Sequence, residues 1–394
     1  MTLEQDITAQ KDYITALRRH FHAHPEISLK EFETARRIEK ELDAIGVAHE
    51  RVGETGVFAK ILGKSAGPGH IVALRADIDA LGMQDLKSCE YASKNDGVCH
   101  ACGHDAHAAT LLGAARVLKQ HENDFSGEIR LFFQQAEEIG QGARQFVAAG
   151  HLKGVERIFG AHVASYLPVG KITVTPGPIN ASCDFFRITI KGRGAHVSKP
   201  HLGIDALYVA SQTVVALQSI VSRSTNPLDT VVVGIGKAWA GTQYNIVAED
   251  AVLEGTTRTF TPESREKTNT RVSKIAQDTA EMLGAQADVF FDAYSSPLIN
   301  DETAAREIQN VARGIFGEDG VITNQPKSLG AEDFADYLAH AKGCFVQVGT
   351  QSSKPGTECA HHNGHFDVDE NGLVLSCSLY VKYALWVLAQ DVLA

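Results

Sequence analysis

The densest group of chemically capable side chains is Cys99-His100-Ala101-Cys102-Gly103-His104-Asp105-Ala106-His107, directly ahead of a stretch with helical periodicity. Thiolate and imidazole crowded onto a loop before a helix form a donor set for a borderline-soft divalent ion. Other chemistries use some of the same residues. Cys99 and Cys102 make a CxxC pair that could cycle between thiol and disulfide, whereas Gly103 breaks the CxxCH pattern of covalent haem attachment. A structural zinc site would want a second CxxC pair, and none follows. Taken alone, the loop leaves metal binding and redox chemistry both open.

Further acids and imidazoles fall just after apolar, strand-like runs. Asp77 and Asp79 follow residues 71–74, Glu137 and Glu138 follow 129–133, and His162 follows 157–160. In open α/β sheets, ligands gather at the carboxyl ends of strands, so these runs would deliver their polar residues to one rim. Each has a plain alternative: paired glutamates are usually solvated, and a lone histidine is usually a satisfied core residue. Adjacent glutamates nevertheless permit a division of labour, one coordinating a cation while the other takes a proton from water. A late cluster, His361-His362-Asn363-Gly364-His365, offers more imidazole, and Gly192-Arg193-Gly194-Ala195-His196 ends another strand-like run. The latter reads equally well as a glycine-rich turn with an incidental histidine.

The elements that must position these groups follow an α/β rhythm. Residues 28–46 read as a helix with a Ser28/Glu31 capping box and a closing Gly46. Residues 57–62, 71–74, 129–133 and 157–160 read as strands, and 106–120 and 143–149 as helices. From 183 the order becomes strand 185–190, helix 204–222, strands 230–235 and 252–259, helix 263–283 and strand 287–291. That βαββαβ order is ferredoxin-like. After 294 the earlier rhythm resumes, with a strand at 345–348 and a helix at 372–393. The expected fold is a layered α/β catalytic domain, 1–182 and 295–394, with a ferredoxin-like α+β domain, 183–294, inserted in it.

At 394 residues two domains are the default, and 44% apolar against 22% charged residues supply ample core. Thirty-seven basic residues against 48 acidic ones give a net charge of −11, which argues against nucleic acid or an anionic membrane as the main partner. The polar stretch 1–12 lacks the apolar segment of a signal peptide, and no uninterrupted apolar run reaches a membrane span. An odd count of seven cysteines fits reduced thiols and a cytoplasmic location.

The order of motifs resembles a known family. Leu17-Arg18-Arg19, His24-Pro25-Glu26, Arg75-Ala76-Asp77-Ile78-Asp79-Ala80-Leu81, His100-Ala101-Cys102-Gly103-His104-Asp105, Gln135-Ala136-Glu137-Glu138, Gly160-Ala161-His162, Gly194-Ala195-His196 and Gly330-Ala331-Glu332-Asp333-Phe334 are similar to the aminoacylase and carboxypeptidase family of dinuclear metallopeptidases. The branch most resembled contains hippurate hydrolases, N-acyl-amino-acid amidohydrolases and auxin-conjugate hydrolases. The resemblance implies two divalent ions per subunit, zinc or manganese with cobalt or nickel as alternatives, held by Cys102, His104, Glu138, His162 and His362. It implies Glu137 as general acid/base, acting on water whose pKa the ions lower. It further implies that the inserted domain is a lid and dimerisation domain, in a homodimer or homotetramer, whose His196 reaches a partner's site to stabilise the oxyanion. Asn245 and Arg258 would hold the substrate carboxylate or close the site. The substrate would be a small N-acyl amino acid, cut to a carboxylic acid and a free amino acid. A dipeptidase or carboxypeptidase of the same chemistry and a catalytically silent metal-binding protein are the alternatives. Cys99, Gly82, Gly364 and Ala248-Glu249-Asp250 depart from the family pattern, and none removes an implied ligand.

Overall fold

A computed structural model describes residues 2–393. Strands flanked by neighbours on both sides and covered by helices must be apolar on both faces. The strand Ile71–Asp77 shows this, with every residue after Ile71 buried, and Glu128–Gln134 buries its last four residues in succession. These strands lie inside an eight-stranded sheet of spatial order Ala48–Val52, Gly56–Leu62, Glu128–Gln134, Ile71–Asp77, Arg157–Pro168, Lys342–Gln351, Ile172–Thr173 and Val321–Ile322. The four middle strands of this order, from Glu128–Gln134 to Lys342–Gln351, run parallel.

Ile71–Asp77 sends the chain first to Glu128–Gln134 on one side and then to Arg157–Pro168 on the other. That reversal opens a crevice at the carboxyl ends of the strands. Arg157–Pro168 is longer than the sequence suggests: only Arg157 to Gly160 pair with Ile71–Asp77, and the strand continues along Lys342–Gln351. His162 is therefore inside a strand rather than after one, just beyond the point where the neighbour on one side is lost.

The helix predicted for residues 28–46 begins later, at Phe32, and ends at Ala44. Its C-terminus is as expected. Gly46 takes φ 70°, and the amides of Gly46 and Val47 return to the carbonyls of Asp43 and Leu42. Its N-terminus is not: Ser28 and Glu31 make no capping box, because both side chains are engaged elsewhere in the fold. Ahead of it, Lys11–Ala23 buries Ile14, Leu17, Arg18, Phe21 and His22, one face of a helix in which two positions are polar. The closing helix, Asn371–Leu388, is apolar and long enough to cross a membrane by composition, but it is 67% buried and packs against His104–Gln120 and Glu302–Phe316.

The chain forms two compact units. One comprises residues to Gly177, Ile299–Pro326 and residues from Asp333 onward; the other comprises Pro178–Leu298 and Lys327–Glu332. The second holds a four-stranded antiparallel sheet in the order Val231–Ala240, Asp250–Thr259, Cys183–Lys191, Gln286–Ser295, packed with helices Ala206–Leu217 and Pro262–Met282. Thr261 caps the longer helix through the Ser264 amide, ahead of a proline in its first turn. The short segment Lys327–Glu332 joins this unit because Ser328 exchanges backbone hydrogen bonds with Ile179 and Ala181, a pairing across nearly 150 residues that leaves no local pattern to read.

Candidate metal centre

Gly103 starts the site. It stands at the N-cap of helix His104–Gln120 with φ 90°, and a Cβ there would collide with Val163 Cγ2. The turn joins Cys102, before the helix, to His104, its first residue, and their donor atoms lie within 4.8 Å of each other. Gly103→Ala is expected to weaken divalent-metal binding by at least ~10-fold, since a left-handed alanine alone is disfavoured by about that factor. Competition against a chromophoric chelator measures it.

Three histidines in this region have tautomers set by their neighbours. His104 Nδ1 donates to Asp79 Oδ1 at 3.2 Å, and His162 Nδ1 donates to the Val163 carbonyl at 2.7 Å. Both arrangements leave the Nε2 lone pair for a ligand, and a carboxylate behind an imidazole is a common support for a metal-binding histidine. His107 differs. Its Nε2 accepts the Val163 amide at 2.9 Å, so Nδ1 carries the proton donated to Asp77 Oδ1 at 2.5 Å. With both nitrogens engaged, His107 is a structural residue although it lies close to Asp77 and His104.

The five residues implied as ligands come together in two triads. Donor atoms of Cys102, His104 and His162 lie within 4.8 Å of one another, and so do those of Cys102, Glu138 and His362. Cys102 belongs to both. Its Sγ is 3.5 Å from His162 Nε2, and His362 Nε2 is 3.6 Å from Glu138 Oε1. Sulfur and nitrogen bound tetrahedrally to one ion at about 2.3 and 2.0 Å stand about 3.5 Å apart.

The electrostatics call for a cation. His104 Nε2 and Glu138 Oε1 are buried without a hydrogen-bond partner, 3.9 Å from each other. Burial, only partly offset by His104, pushes the Glu138 carboxyl up to about 7. Desolvation raises the Cys102 thiol well above its usual range, whereas burial works against the His104 charge and Asp77, Cys102 and Asp79 together overcome it, raising His104 well above its own. Burial, then His107 and His361, keep His162 neutral, the form that ligates. A divalent ion would satisfy the orphaned atoms and stabilise thiolate and carboxylate together, so these residues fit the group that their types suggest. Glu137 is 6% exposed, and its carboxylate groups with His104 and Glu138.

Another buried cluster, His22, Asp85 and Cys99, also has metal-like composition. It contains its own cation: Lys87 Nζ lies 3.0 Å from Asp85 Oδ1 and 3.9 Å from Cys99 Sγ. This cluster backs the Cys99–His107 loop. Asp105 is gripped by Arg18 Nε at 3.0 Å and by His22 Nδ1 at 2.6 Å, and although burial opposes the charge, Asp105 and Asp85 together lift His22 to about 10. Arg18 and His22 act on the loop only through tertiary contact; Arg18 falls in one of the motifs of the family resemblance, but no local pattern links either residue to Asp105.

Residues 73–385 match the model of peptidase family M20/M25/M40. The chain belongs to this family. An N-acetyl-L-cysteine deacetylase of Bacillus subtilis strain 168 is 40% identical over 368 residues, 93% of this chain and 86% of that protein. Thermostable carboxypeptidase 1 of Saccharolobus solfataricus is 37% identical over 389 residues, 97% of each chain. The crystal structure of a Bacillus subtilis dinuclear metal-binding peptidase of the M20 family superposes with a TM-score of 0.82 at 36% identity, covering 97% of this chain and 99% of that one. This M20 chain is a metal-dependent amidohydrolase.

The other residues singled out in the M20 sequence lie in the second compact unit. His196 is exposed at the end of the short strand Ala195–His196, and its Nδ1 accepts both the Ser198 amide, at 3.1 Å, and a hydrogen bond from Ser198 Oγ, at 2.8 Å. Its Nε2 therefore carries the proton. Asn245 is exposed, with its carbonyl accepting the Val197 amide at 3.1 Å. Arg258 is half-buried on Asp250–Thr259 and donates to the Leu329 carbonyl at 3.3 Å.

Proposed function

We propose that this M20 amidohydrolase cleaves the amide bond of small N-acyl amino acids, releasing a carboxylic acid and a free amino acid. The observation that carries the reading is the pair of triads sharing Cys102, with the Glu137 carboxylate beside them. Two divalent ions suit that donor set, zinc or manganese first and cobalt or nickel next. When bound, they supply Lewis acidity and lower the pKa of water from about 15.7 toward neutrality.

Glu137 takes the proton of the attacking water and delivers it to the leaving nitrogen. Its burial limits competing solvent, and its neighbour Glu138 is committed to ligation. His196, with a protonated Nε2 on an exposed strand end, is suited to donate to the developing oxyanion, a contact worth about a hundredfold or more in rate. The Arg258 guanidinium offers a planar fork for the substrate carboxylate, with Asn245 assisting. The second compact unit is then a lid and dimerisation domain, and the working enzyme a homodimer. Seven free cysteines fit a reducing cytoplasm.

A metal-supplemented panel of N-acetyl and N-benzoyl amino acids beside dipeptides, read by amine release, tests the substrate class. Preference for dipeptides would make the protein a peptidase of the same chemistry. Mixed dimers of a His196→Ala chain and a Glu137→Gln chain, each inactive alone, are expected to recover up to about a quarter of the wild-type rate in a statistical mixture, since one competent site can form in a heterodimer. No recovery in a purified heterodimer would remove His196 from the partner's site.

A further inference from the structure

Among the described residues, three non-glycine positions have left-handed backbone: Leu29 at φ 63°, Ala136 at φ 54° and His362 at φ 62°. A residue with a Cβ is disfavoured there by about tenfold or more, so the surroundings must hold each one in place. His362 belongs to a triad, and Ala136 immediately precedes Glu137. Leu29 belongs to neither, and what its turn accomplishes lies in the residues around it.

The turn sends two side chains toward the acidic loops. Ser28 Oγ donates to Asp79 Oδ2 at 2.7 Å, and the Glu31 carboxylate accepts the Ala136 amide at 2.9 Å. Asp79 Oδ2 also accepts the Glu138 amide at 3.0 Å. The backbone amides on either side of Glu137 are thus each held by a carboxylate, one supplied by the Ser28–Glu31 turn and the other tied to it through Ser28. On its carbonyl side Ala136 is held by the amides of Gln141 and Gly142, at 3.1 and 3.3 Å.

Glu31 is fully buried. A buried carboxylate is weak evidence for stability, because an apolar side chain of similar volume usually serves the fold as well or better. Its presence needs another reason, and its grip on a strained residue one position before the proton carrier supplies one. We propose that Glu31 is a positioning residue, holding Ala136 in the left-handed conformation and so aiming the Glu137 carboxylate at the reacting water. Ser28 supports the same turn through Asp79.

This inference rests on Glu137 being the proton carrier, so Glu137→Gln is measured alongside. The test compares Glu31→Met, Glu31→Asp, Glu31→Gln, Ala136→Gly and the double variant Glu31→Met/Ala136→Gly for kcat, KM, bound metal and the thermal midpoint of the metal-stripped protein. Glu31→Met removes the acceptor while filling the space, and kcat is expected to fall ~10–100-fold with KM within about threefold and metal content preserved. Glu31→Asp, which folds with less risk, withdraws the acceptor by one methylene and is expected to lose ~10-fold. Glu31→Gln keeps an acceptor oxygen and is expected to stay within about threefold of wild type. Glycine takes positive φ without the Cβ penalty, so adding Ala136→Gly is expected to return ~10-fold of the kcat lost in Glu31→Met or Glu31→Asp. A role confined to stability would move the thermal midpoint and leave no such selective recovery of kcat.

The proposal is overturned if Glu31→Met or Glu31→Asp keeps wild-type kcat, if Glu31→Gln is as impaired as Glu31→Met, or if Ala136→Gly returns nothing to a metal-loaded Glu31 variant. An active Glu137→Gln would sink the mechanism, and the positioning role with it. An inactive Glu137→Gln with a flat Glu31 series would sink the positioning role alone.

Discussion

Glu137→Gln is expected to retain its full complement of metal and to lose about 10²–10⁴-fold in kcat with little change in KM. The amide preserves the volume and polarity of a side chain that is only 6% exposed, so neither packing nor the neighbouring donors need move. What it cannot do is accept a proton. Glu138→Gln, one residue on, should behave oppositely and lose metal first, because Glu138 Oε1 is the orphaned atom 3.6 Å from His362 Nε2 and 3.9 Å from His104 Nε2. Metal analysis and steady-state kinetics on the two variants separate proton carrier from ligand. If Glu137→Gln kept normal turnover, another base would have to be found, and the assignment of the pair would be reversed if Glu137→Gln lost metal while Glu138→Gln kept it.

Cys102→Ala is expected to abolish measurable turnover and to reduce bound metal from two ions per chain to fewer than one. Both triads contain its sulfur, so its loss leaves two incomplete pairs, His104 with His162 and Glu138 with His362. His362→Ala should cost less metal. That ring is the most exposed of the five donors, its side chain 55% accessible, and its loss leaves the triad of Cys102, His104 and His162 whole. Equilibrium dialysis with metal quantification distinguishes these outcomes. Two ions retained by Cys102→Ala would mean that the sulfur is shared by neither.

Much of this site could be read from the chain because the chemistry depends on residue type. Cys102, His104, Glu138 and His162 sit in motifs whose order carries the family resemblance, His362 stands in the late histidine cluster, and family membership bears that resemblance out. The element positions were also legible where periodicity was strong, as in Pro262–Met282 against a predicted 263–283 and Cys183–Lys191 against 185–190. What was misread turned on competition between local and tertiary hydrogen bonds. Ser28 and Glu31 have the spacing of a capping box, yet their side chains bond to Asp79 and to the Ala136 amide, which lie far along the sequence. A four-residue pattern cannot show which partner wins. The same applies to Lys11–Ala23, whose apolar face is interrupted by Arg18 and His22 for the sake of Asp105, and to His162, whose strand runs on to Pro168 along a neighbour nearly 200 residues away.

The central claim is that five side chains hold a pair of ions through one shared sulfur. Anomalous diffraction from metal-loaded crystals at the absorption edge of the bound element tests it directly. Two peaks per chain are predicted, ~3.5–4 Å apart, both within bonding distance of Cys102 Sγ, one flanked by His104 and His162 and the other by Glu138 and His362. A single peak, or peaks at His22, Asp85 and Cys99 with Cys102 uncoordinated, would contradict it.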